Sequence, residues 1–350
     1  MMNWSRHVCS LQFDITSHCN ARCGACVRNK DGDEVRAEVS LDHFDVELWN
    51  RIASKDTRGW FIKDLTLNGN WGDPMMHPKL VEMLDTFAHY HPEAELYLHT
   101  NGSMRTEKFW NDLATSCRKF ANHVVVFAVD GLEDTHSIYR RKTNFNKIVD
   151  NIKAFTANKG RANVTMTQFE HNKHQVKEVE ALAEECGAIM FNLRESHADK
   201  MRIELGADSY DIIASDATEP YNKIFEASDN YSLSDTRDYN IMVEAKQFIE
   251  ERDIHPDSKC PWYMDRQIQI DPWGIVWPCC HLSLFGLDIP QHDILKDADE
   301  SLYRAREENN LHNDSLTSIL ENEWWEETLS DAVEKAEWNQ CRKTCGICAD

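Results

Sequence analysis

Between residue 10 and about residue 200 the sequence alternates short apolar runs with amphipathic ones, and few folds accept that rhythm. "LQFDIT" places Leu11, Phe13 and Ile15 on one face, as a half-buried strand does. "LDHFDVELWNRIAS" follows with helical spacing behind Ser40 as N-cap. "DLTLN" and "PKLVEMLDTFAHY" form a second pair, with Pro78 at the first helical position. "ELYLHTNG" and "TEKFWNDLATSCRKF" form the third. "HVVVFAVDG" is an almost unbroken apolar run, the mark of a strand covered on both faces, and "FNKIVDNIKAF" follows it. The fifth pair is "NVTMTQ" and "HQVKEVEALAEECG", with Gly187 as helix C-cap, and "AIMFNL" closes the series as a sixth strand. Strand–helix pairs joined by right-handed crossovers build a parallel sheet. Five of them and a sixth strand predict an α/β chain in which a partial (β/α)6 TIM-like barrel gathers its reactive groups at the C-terminal ends of the strands.

Residues 201–254 lose this rhythm and read as a polar connector rich in Asp and Ser. From 255 to 350 the pattern changes again. "IQIDPWGIVWPCC" reads as strand, turn and strand, followed by a helical stretch, "SLTSILENEWWEETLSDAVEKAE", and then "CRKTCGIC". The expected division is a barrel over 1–200, a connector over 201–254 and a small cysteine-rich α+β domain over 255–350. Trp262, Trp273, Trp277, Trp324 and Trp325 are expected to fill the core of that last domain.

Charge and cysteine placement narrow the chemistry. A formal net charge of -22, without any run of Lys and Arg, repels phosphate backbones and disfavours nucleic acid as a partner. The N-terminus has no apolar export signal, and no segment reaches the length of a membrane span, so a cytoplasmic protein is expected. Thiols stay reduced there, and clustered cysteines then point to metal. Of the twelve cysteines, Cys9, Cys117 and Cys186 stand alone and read as small buried hydrophobes.

Cys19, Cys23 and Cys26 form a Cys-x3-Cys-x2-Cys triplet just past the first strand, where a barrel places chemistry. Half a zinc site, part of a disulfide ladder and three ligands of an iron–sulfur cluster are all open on spacing alone. Structural zinc sites want four ligands, and no fourth thiol or imidazole lies at a matching spacing. Three cysteines on a [4Fe–4S] cluster would leave one iron free to bind something else.

The triplet on the loop after the first strand of such a barrel resembles the radical S-adenosylmethionine (SAM) superfamily. The resemblance implies that Cys19, Cys23 and Cys26 are the catalytic ligands of a [4Fe–4S] cluster whose fourth iron is chelated by SAM. It also implies reductive cleavage of SAM to a 5'-deoxyadenosyl radical that abstracts hydrogen from a substrate, with an external one-electron donor such as flavodoxin or ferredoxin. Gly72, Asp73 and Pro74 match the last three positions of the family's Gly-Gly-Glu-Pro loop, whose backbone meets the SAM amino group. Asp stands there for Glu, and Trp71 stands where the first Gly would be. "TNG", with Asn101, ends the third strand as it often does in the family. "VDGLEDTHSIYRRKTNFNKIVDNI" resembles the fourth strand and helix, with Asp130 at the strand end and Arg140 toward the SAM carboxylate. The family usually has an aromatic residue beside the adenine just before the third cysteine. Here that residue is Ala25, so the adenine needs another wall, and Val27 is a neighbour that could contribute.

The later cysteines resemble the SPASM and twitch extensions that hold auxiliary clusters. A Cys-x2-Cys-x5-Cys run is missing, so the pattern fits one auxiliary [4Fe–4S] cluster, with Cys260, Cys279, Cys345 and Cys348 as ligands and Cys341 or Cys280 as substitutes. Four thiolates suit a zinc knuckle as well. A fully ligated cluster has no open iron, and would relay electrons or hold the fold. The triplet starts within twenty residues of the first residue, so no leader-binding or cobalamin domain is expected ahead of it. The expected substrate is a small molecule or a peptide, with Asn68, Asn101, Asp130 and Gln168 as candidate contacts at strand ends. The alternative is a non-catalytic metal-binding interaction protein that kept the fold.

Overall fold

In the computed structural model, described for residues 4, 8–30, 34–196, 220–225, 260, 262, 265–283 and 300–334, the expected strands form where the apolar runs lie. In chain order they are β1 (Ser10–Phe13), β2 (Asn29–Lys30), β3 (Glu34–Val35), β4 (Asp64–Leu67), β5 (Glu95–Thr100), β6 (Asn122–Ala128), β7 (Ala162–Thr167), β8 (Met190–Arg194), β9 (Tyr221–Ile224), β10 (Gln267–Ile270) and β11 (Val276–Trp277). The fold is mixed α/β with a parallel sheet, as a partial TIM-like barrel requires. The chain divides into two compact units that interleave in sequence, residues 14–43 with 67–226, and residues 1–13 with 44–66 and 227–350.

In the first of these units β5, β6, β7 and β8 run parallel in chain order, and β9 adds antiparallel to β8. Helices Leu80–Tyr90, Glu107–Cys117, Phe145–Ala157 and Val176–Glu185 alternate with these strands. The register separates two faces. Leu96, Leu98, Val125, Phe127, Val164, Met166 and Phe191 share the apolar face and are all buried. That face lies under the helices: Trp110 and Phe155 meet Phe127 at ring distances of 5.2 and 5.9 Å. The opposite face carries Tyr97, His99, Asn163, Thr165, Thr167, Asn192 and Arg194, with Val124, Val126 and Met190 among them. A strand series with one apolar face under helices and one polar face turned inward is the half-barrel arrangement.

In the other unit β10 lies parallel to β1, from Ser10 against Gln267 to Phe13 against Ile270, and β11 returns antiparallel to β10. The hairpin read from "DPWG" is present. Gly274 takes φ +85°, and the buried Asp271 carboxylate accepts from the Trp273 and Ile275 amides at 3.0 Å each and from Trp277 Nε1 at 2.9 Å. Trp277, Trp324 and Trp325 are fully buried, as expected of core aromatics. Helix Leu316–Leu320 is capped by Ser315, and its first amide donates to Asp56 at 3.1 Å.

Several local expectations shift. The helix expected behind Ser40 starts at Val46, capped by Asp45, whose carboxylate takes the Glu47 and Leu48 amides. The Ser40 carbonyl instead accepts from Ser17 Oγ at 2.7 Å. The second helix begins at Leu80, two residues past Pro78, because His77 Nδ1 takes the Lys79 amide first. Gly187 does close its helix, with φ +77° and its amide on the Glu184 carbonyl. Strand β9 falls within the stretch read as connector, and helix Glu300–Glu308 had no clear sequence signal.

Candidate active site

The loop after β1 is pinned before it reaches the cysteines. The Ser17 amide donates to the Asp42 carbonyl at 3.0 Å, and Ser17 Oγ accepts from the Asp42 amide at 2.7 Å. Three thiols follow within eight residues, on a loop that folds back on itself. The Cys26 amide meets the Cys23 carbonyl at 3.3 Å, and Asn29 Nδ2 donates to that same carbonyl at 3.2 Å. Arg22 Nη1 donates to the Cys19 carbonyl at 3.0 Å, and its own amide meets the Arg141 carbonyl at 2.9 Å.

The Gly72-Asp73-Pro74 loop is fitted against this one without slack. A Cβ on Gly72 would come within 2.3 Å of the Thr16 carbonyl and 2.6 Å of the His18 carbonyl, so no side chain fits there. The Asp73 amide donates to the His18 carbonyl at 2.8 Å. The Asp73 carboxylate is buried and takes donors from the end of β5: Thr100 Oγ1 at 3.0 Å, the Asn101 amide at 2.8 Å and Asn101 Nδ2 at 2.6 Å. It also takes the Met75 amide at 3.0 Å, capping a short 3-10 turn that Pro74 begins. Asp73 therefore holds the loops in place, and its carboxylate is spent on protein donors.

Two chains of hydrogen bonds then reach the sulfurs. Asn101 Nδ2 also bonds Asn20 Oδ1 at 2.9 Å and approaches Cys19 Sγ at 3.8 Å. On the other side, Asp130 at the end of β6 is fully buried and accepts from Arg140 Nε at 2.5 Å and the Thr167 amide at 2.6 Å. Arg140 Nη1 lies 3.7 Å from Cys23 Sγ. The Asp130 amide donates to His136 Nδ1 at 3.1 Å, and burial lowers the His136 pKa to about 4, so that imidazole is neutral and keeps its proton on Nε2. Asn101, Asp130 and Arg140 thus converge on the cysteine loop. The Gln168 backbone amide donates to the Arg194 carbonyl at 3.0 Å, and Asn70 donates to the Asp14 carboxylate through its backbone amide at 2.9 Å and its Nδ2 at 3.1 Å.

Burial raises the Cys19 and Cys23 thiols, as it does Cys117 and Cys186. Burial, then Asp73 and Cys23, pushes the Cys19 thiol up, and burial pushes Cys23 up to about 11 against the pull of Arg140. Left alone they would be neutral; a bound metal reverses this, since a coordinating thiol is deprotonated outright. Cationic groups stand ready for that charge. Burial works against the Arg140 guanidinium, but Asp130 and the Cys23 sulfur hold it above its ordinary value. Arg28 is almost fully buried and donates through Nε to the Ser17 carbonyl at 2.7 Å. Among the described residues it has no carboxylate partner, and the sulfurs of Cys19 and Cys26 pull against the burial that lowers its pKa. Among the described residues no three His, Cys, Asp or Glu side chains converge on one point as ligands of a single ion do. Three thiols with the Arg140 and Arg28 guanidinium groups beside them form a donor set that fits an anionic iron–sulfur cluster, whose thiolates each ligate a separate iron.

Two contacts were not legible in the sequence. Arg28 gave no signal beyond its place two residues after Cys26. Phe169, past β7, packs against Ala25 and Tyr139 and stacks on His171 at 5.3 Å. It brings an aromatic ring from a distant loop to the position where Ala25 offers none. Val27 offers its carbonyl to Arg36 Nε at 2.8 Å.

Of the later cysteines, Cys279 is buried just past β11, and Cys260 and Cys280 are half-buried. Cys341, Cys345 and Cys348 lie outside the described residues. Cys117 and Cys186 are buried, as expected for lone cysteines, whereas Cys9 is half-buried. Among the described residues no helix is long and apolar enough to cross a membrane.

Comparison with known proteins agrees with this geometry. The radical SAM superfamily model matches residues 13–183, which include every residue of the cysteine, Asp73 and Arg140 groups. No curated protein sequence matches the chain. Streptococcus suis SuiB bound to S-adenosylmethionine has a similar fold, with a TM-score of 0.55 at 14% identity over 98% of this chain and 73% of that one. SuiB bound to its precursor peptide SuiA matches with a TM-score of 0.53 at 14% identity, over 94% and 67%. Hexahistidine-tagged anSMEcpe with bound AdoMet matches with a TM-score of 0.53 at 14% identity, over 96% and 84%. Over residues 13–183 this chain is similar to the radical SAM superfamily.

Proposed function

We propose that the protein is a radical SAM enzyme in which Cys19, Cys23 and Cys26 hold a [4Fe–4S] cluster with one iron left for SAM. The observation that carries this reading is the pair of donor chains, Asp73–Asn101 to Cys19 and Asp130–Arg140 to Cys23, that end on two of the three thiols. The bound cluster and SAM would supply a reducing electron and a carbon-centred oxidant able to abstract hydrogen. The protein's own part is to bind, orient and exclude water. Gly72 lets the loop backbone lie close under the cysteine loop, and Asp73 fixes that backbone rather than meeting the ligand itself. Arg140, with its charge set by Asp130, is placed for the SAM carboxylate and for the thiolate of Cys23. Phe169 takes the role of the aromatic wall that Ala25 cannot fill. Hydrogen bonds from Asn101 and Arg140 to sulfur, with the buried Arg28 charge, favour the reduced, more negative cluster.

Residues 255–350 are read as an auxiliary module with one [4Fe–4S] cluster on Cys260, Cys279, Cys345 and Cys348, passing an electron from or to the substrate radical. The substrate is a small molecule or a peptide, and an external donor such as flavodoxin or ferredoxin supplies the electron. A neighbour of the same fold takes a precursor peptide, which makes peptides the first class to test. Anaerobic reconstitution, with iron and sulfide counted and 5'-deoxyadenosine assayed under strong reductant, tests the whole reading. Roughly eight irons are expected, falling to about four with loss of cleavage when Cys19, Cys23 and Cys26 are all changed to Ala. Zinc in place of iron, or no deoxyadenosine from the parent, points instead to a metal-stapled binding protein.

A further inference from the structure

The polar face of β5–β8 contains groups that the radical chemistry leaves unused. Arg194 ends β8 and pairs in register with Thr167, whose amide is held by Asp130. The Arg194 carbonyl accepts from the Gln168 amide at 3.0 Å, which fixes the backbone there. Its guanidinium is different: the residue is exposed, and among the described residues the side chain makes no hydrogen bond and no ion pair. The protein that does surround it lowers its pKa by partial burial, and the charges it senses are Asp130 and Arg140. Asp130 is already engaged by Arg140 at 2.5 Å, so the Arg194 charge is left uncompensated at the rim of the site. It also depresses the nearby His99, on the same face of β5, toward a pKa of about 4, after burial as the main cause. That imidazole is therefore neutral and is no counter-ion.

The same face carries a second, independent vacancy of partners. Asn163 and Asn192 stand on neighbouring strands one register step apart, Thr165 being opposite Asn192. Among the described residues no donor reaches the buried Oδ1 of either, although Asn192 Nδ2 binds Asn222 Oδ1 at 2.6 Å. Buried acceptors without donors cost stability, and a protein retains them where something else donates. A guanidinium fork suits a carboxylate in two parallel hydrogen bonds, and once a ligand covers it that pairing outweighs its counterpart with a neutral amide.

We propose that Arg194 binds a carboxylate of the substrate, which lies along the polar face with N–H or O–H donors turned toward Asn163 and Asn192. This deepens the reading of the chain as a radical SAM enzyme and rests on it. It names the substrate class as a carboxylate-bearing molecule, with an acidic peptide side chain and a free small carboxylate as the two sources. Arg194 is a specificity residue here, at the opposite side of Asp130 from the cysteine loop.

Binding to the full-length reconstituted protein, without reductant, tests this by ligand-observed NMR with three probes: acetyl-Gly-Glu-Gly-amide, acetyl-Gly-Gln-Gly-amide and glutarate. The Glu peptide is expected to bind at least about tenfold tighter than the Gln peptide, which is ~1.4 kcal/mol. Arg194→Gln should erase that preference and Arg194→Lys should retain most of it. Thermal melts of both variants should match the parent, since the guanidinium holds no partner among the described residues. Tight glutarate binding without a preference between peptides assigns the carboxylate to a free small molecule. Equal binding of all three probes, including binding of none, overturns the proposal. So does an Arg194→Gln variant that keeps the Glu preference, or one that loses SAM affinity alone, since the arginine would then belong to the cofactor. Failure of the parent to cleave SAM sinks the enzymatic reading instead, and leaves the probe comparison readable.

Discussion

Asp73 and Asp271 are both buried carboxylates that gather several donors, yet they do different work. All of Asp271's donors come from within six residues, the Trp273 and Ile275 amides and the Trp277 indole of one hairpin. Asp73 takes the Met75 amide locally, but its other donors come from Thr100 and Asn101, 27 and 28 residues on. The first carboxylate closes a turn. The second ties the ends of separate strand–loop units together around the cysteines. A local device can be lost and leave the rest standing, whereas a long-range one carries the site's geometry with it.

The largest effect that separates them is expected from Asp73→Ala. It strands four donors in the interior and should cost about 4 kcal/mol in urea unfolding, with loss of iron from the Cys19 site. An Asp73→Ala protein that loads a full iron complement would break the contrast with Asp271. Next comes pH. Burial raises the Asp271 pKa from 3.8 to about 6, so the folded state binds its proton more tightly than the unfolded chain. Its contribution is fully present below about pH 4 and lost as the pH rises through 6, an order-of-magnitude penalty of about 3 kcal/mol. Urea midpoints between pH 4 and 8 should show that decline in the parent and a flatter profile in Asp271→Asn, with iron loading unchanged. Gly72→Ala sharpens the comparison further. Its Cβ would sit 2.3 Å from the Thr16 carbonyl, so a cost of about 2 kcal/mol and weaker iron retention are expected. Trp277→Phe removes one indole hydrogen bond to Asp271 and part of a fully buried ring, and should cost about 2 kcal/mol.

The same contrast explains what the sequence made legible. Local signals worked: the period-2 run of β5, the apolar run of β6, Gly187 past its helix and the turn at Asp271 all stand where residue pattern put them. The cysteine triplet, Asp73, Asn101, Asp130 and Arg140 also meet, because each follows a strand end and strand ends share one rim of a parallel sheet. What failed depended on contacts across loops. Ser40 lost its capping role because Ser17 holds its carbonyl, and Asp45 took over. Phe169 reaches Ala25 from a loop far along the chain, and no spacing rule foretells that. Arg28 looks in sequence like a surface charge; only its burial beside three sulfurs gives it meaning. Strand β9 was hidden in a polar segment because its sequence is not apolar; its pairing with β8 is what makes it a strand.

The most direct measurement is the electron paramagnetic resonance spectrum of the reduced, anaerobically reconstituted protein before and after SAM is added. An iron left open by Cys19, Cys23 and Cys26 must sense the ligand, so the [4Fe–4S] signal should shift on SAM addition in the parent. In a Cys260→Ala, Cys279→Ala variant the signal should shift in the same way. A spectrum that SAM leaves unchanged, in a protein that holds its full iron, would contradict the assignment of the triplet as the SAM-binding site.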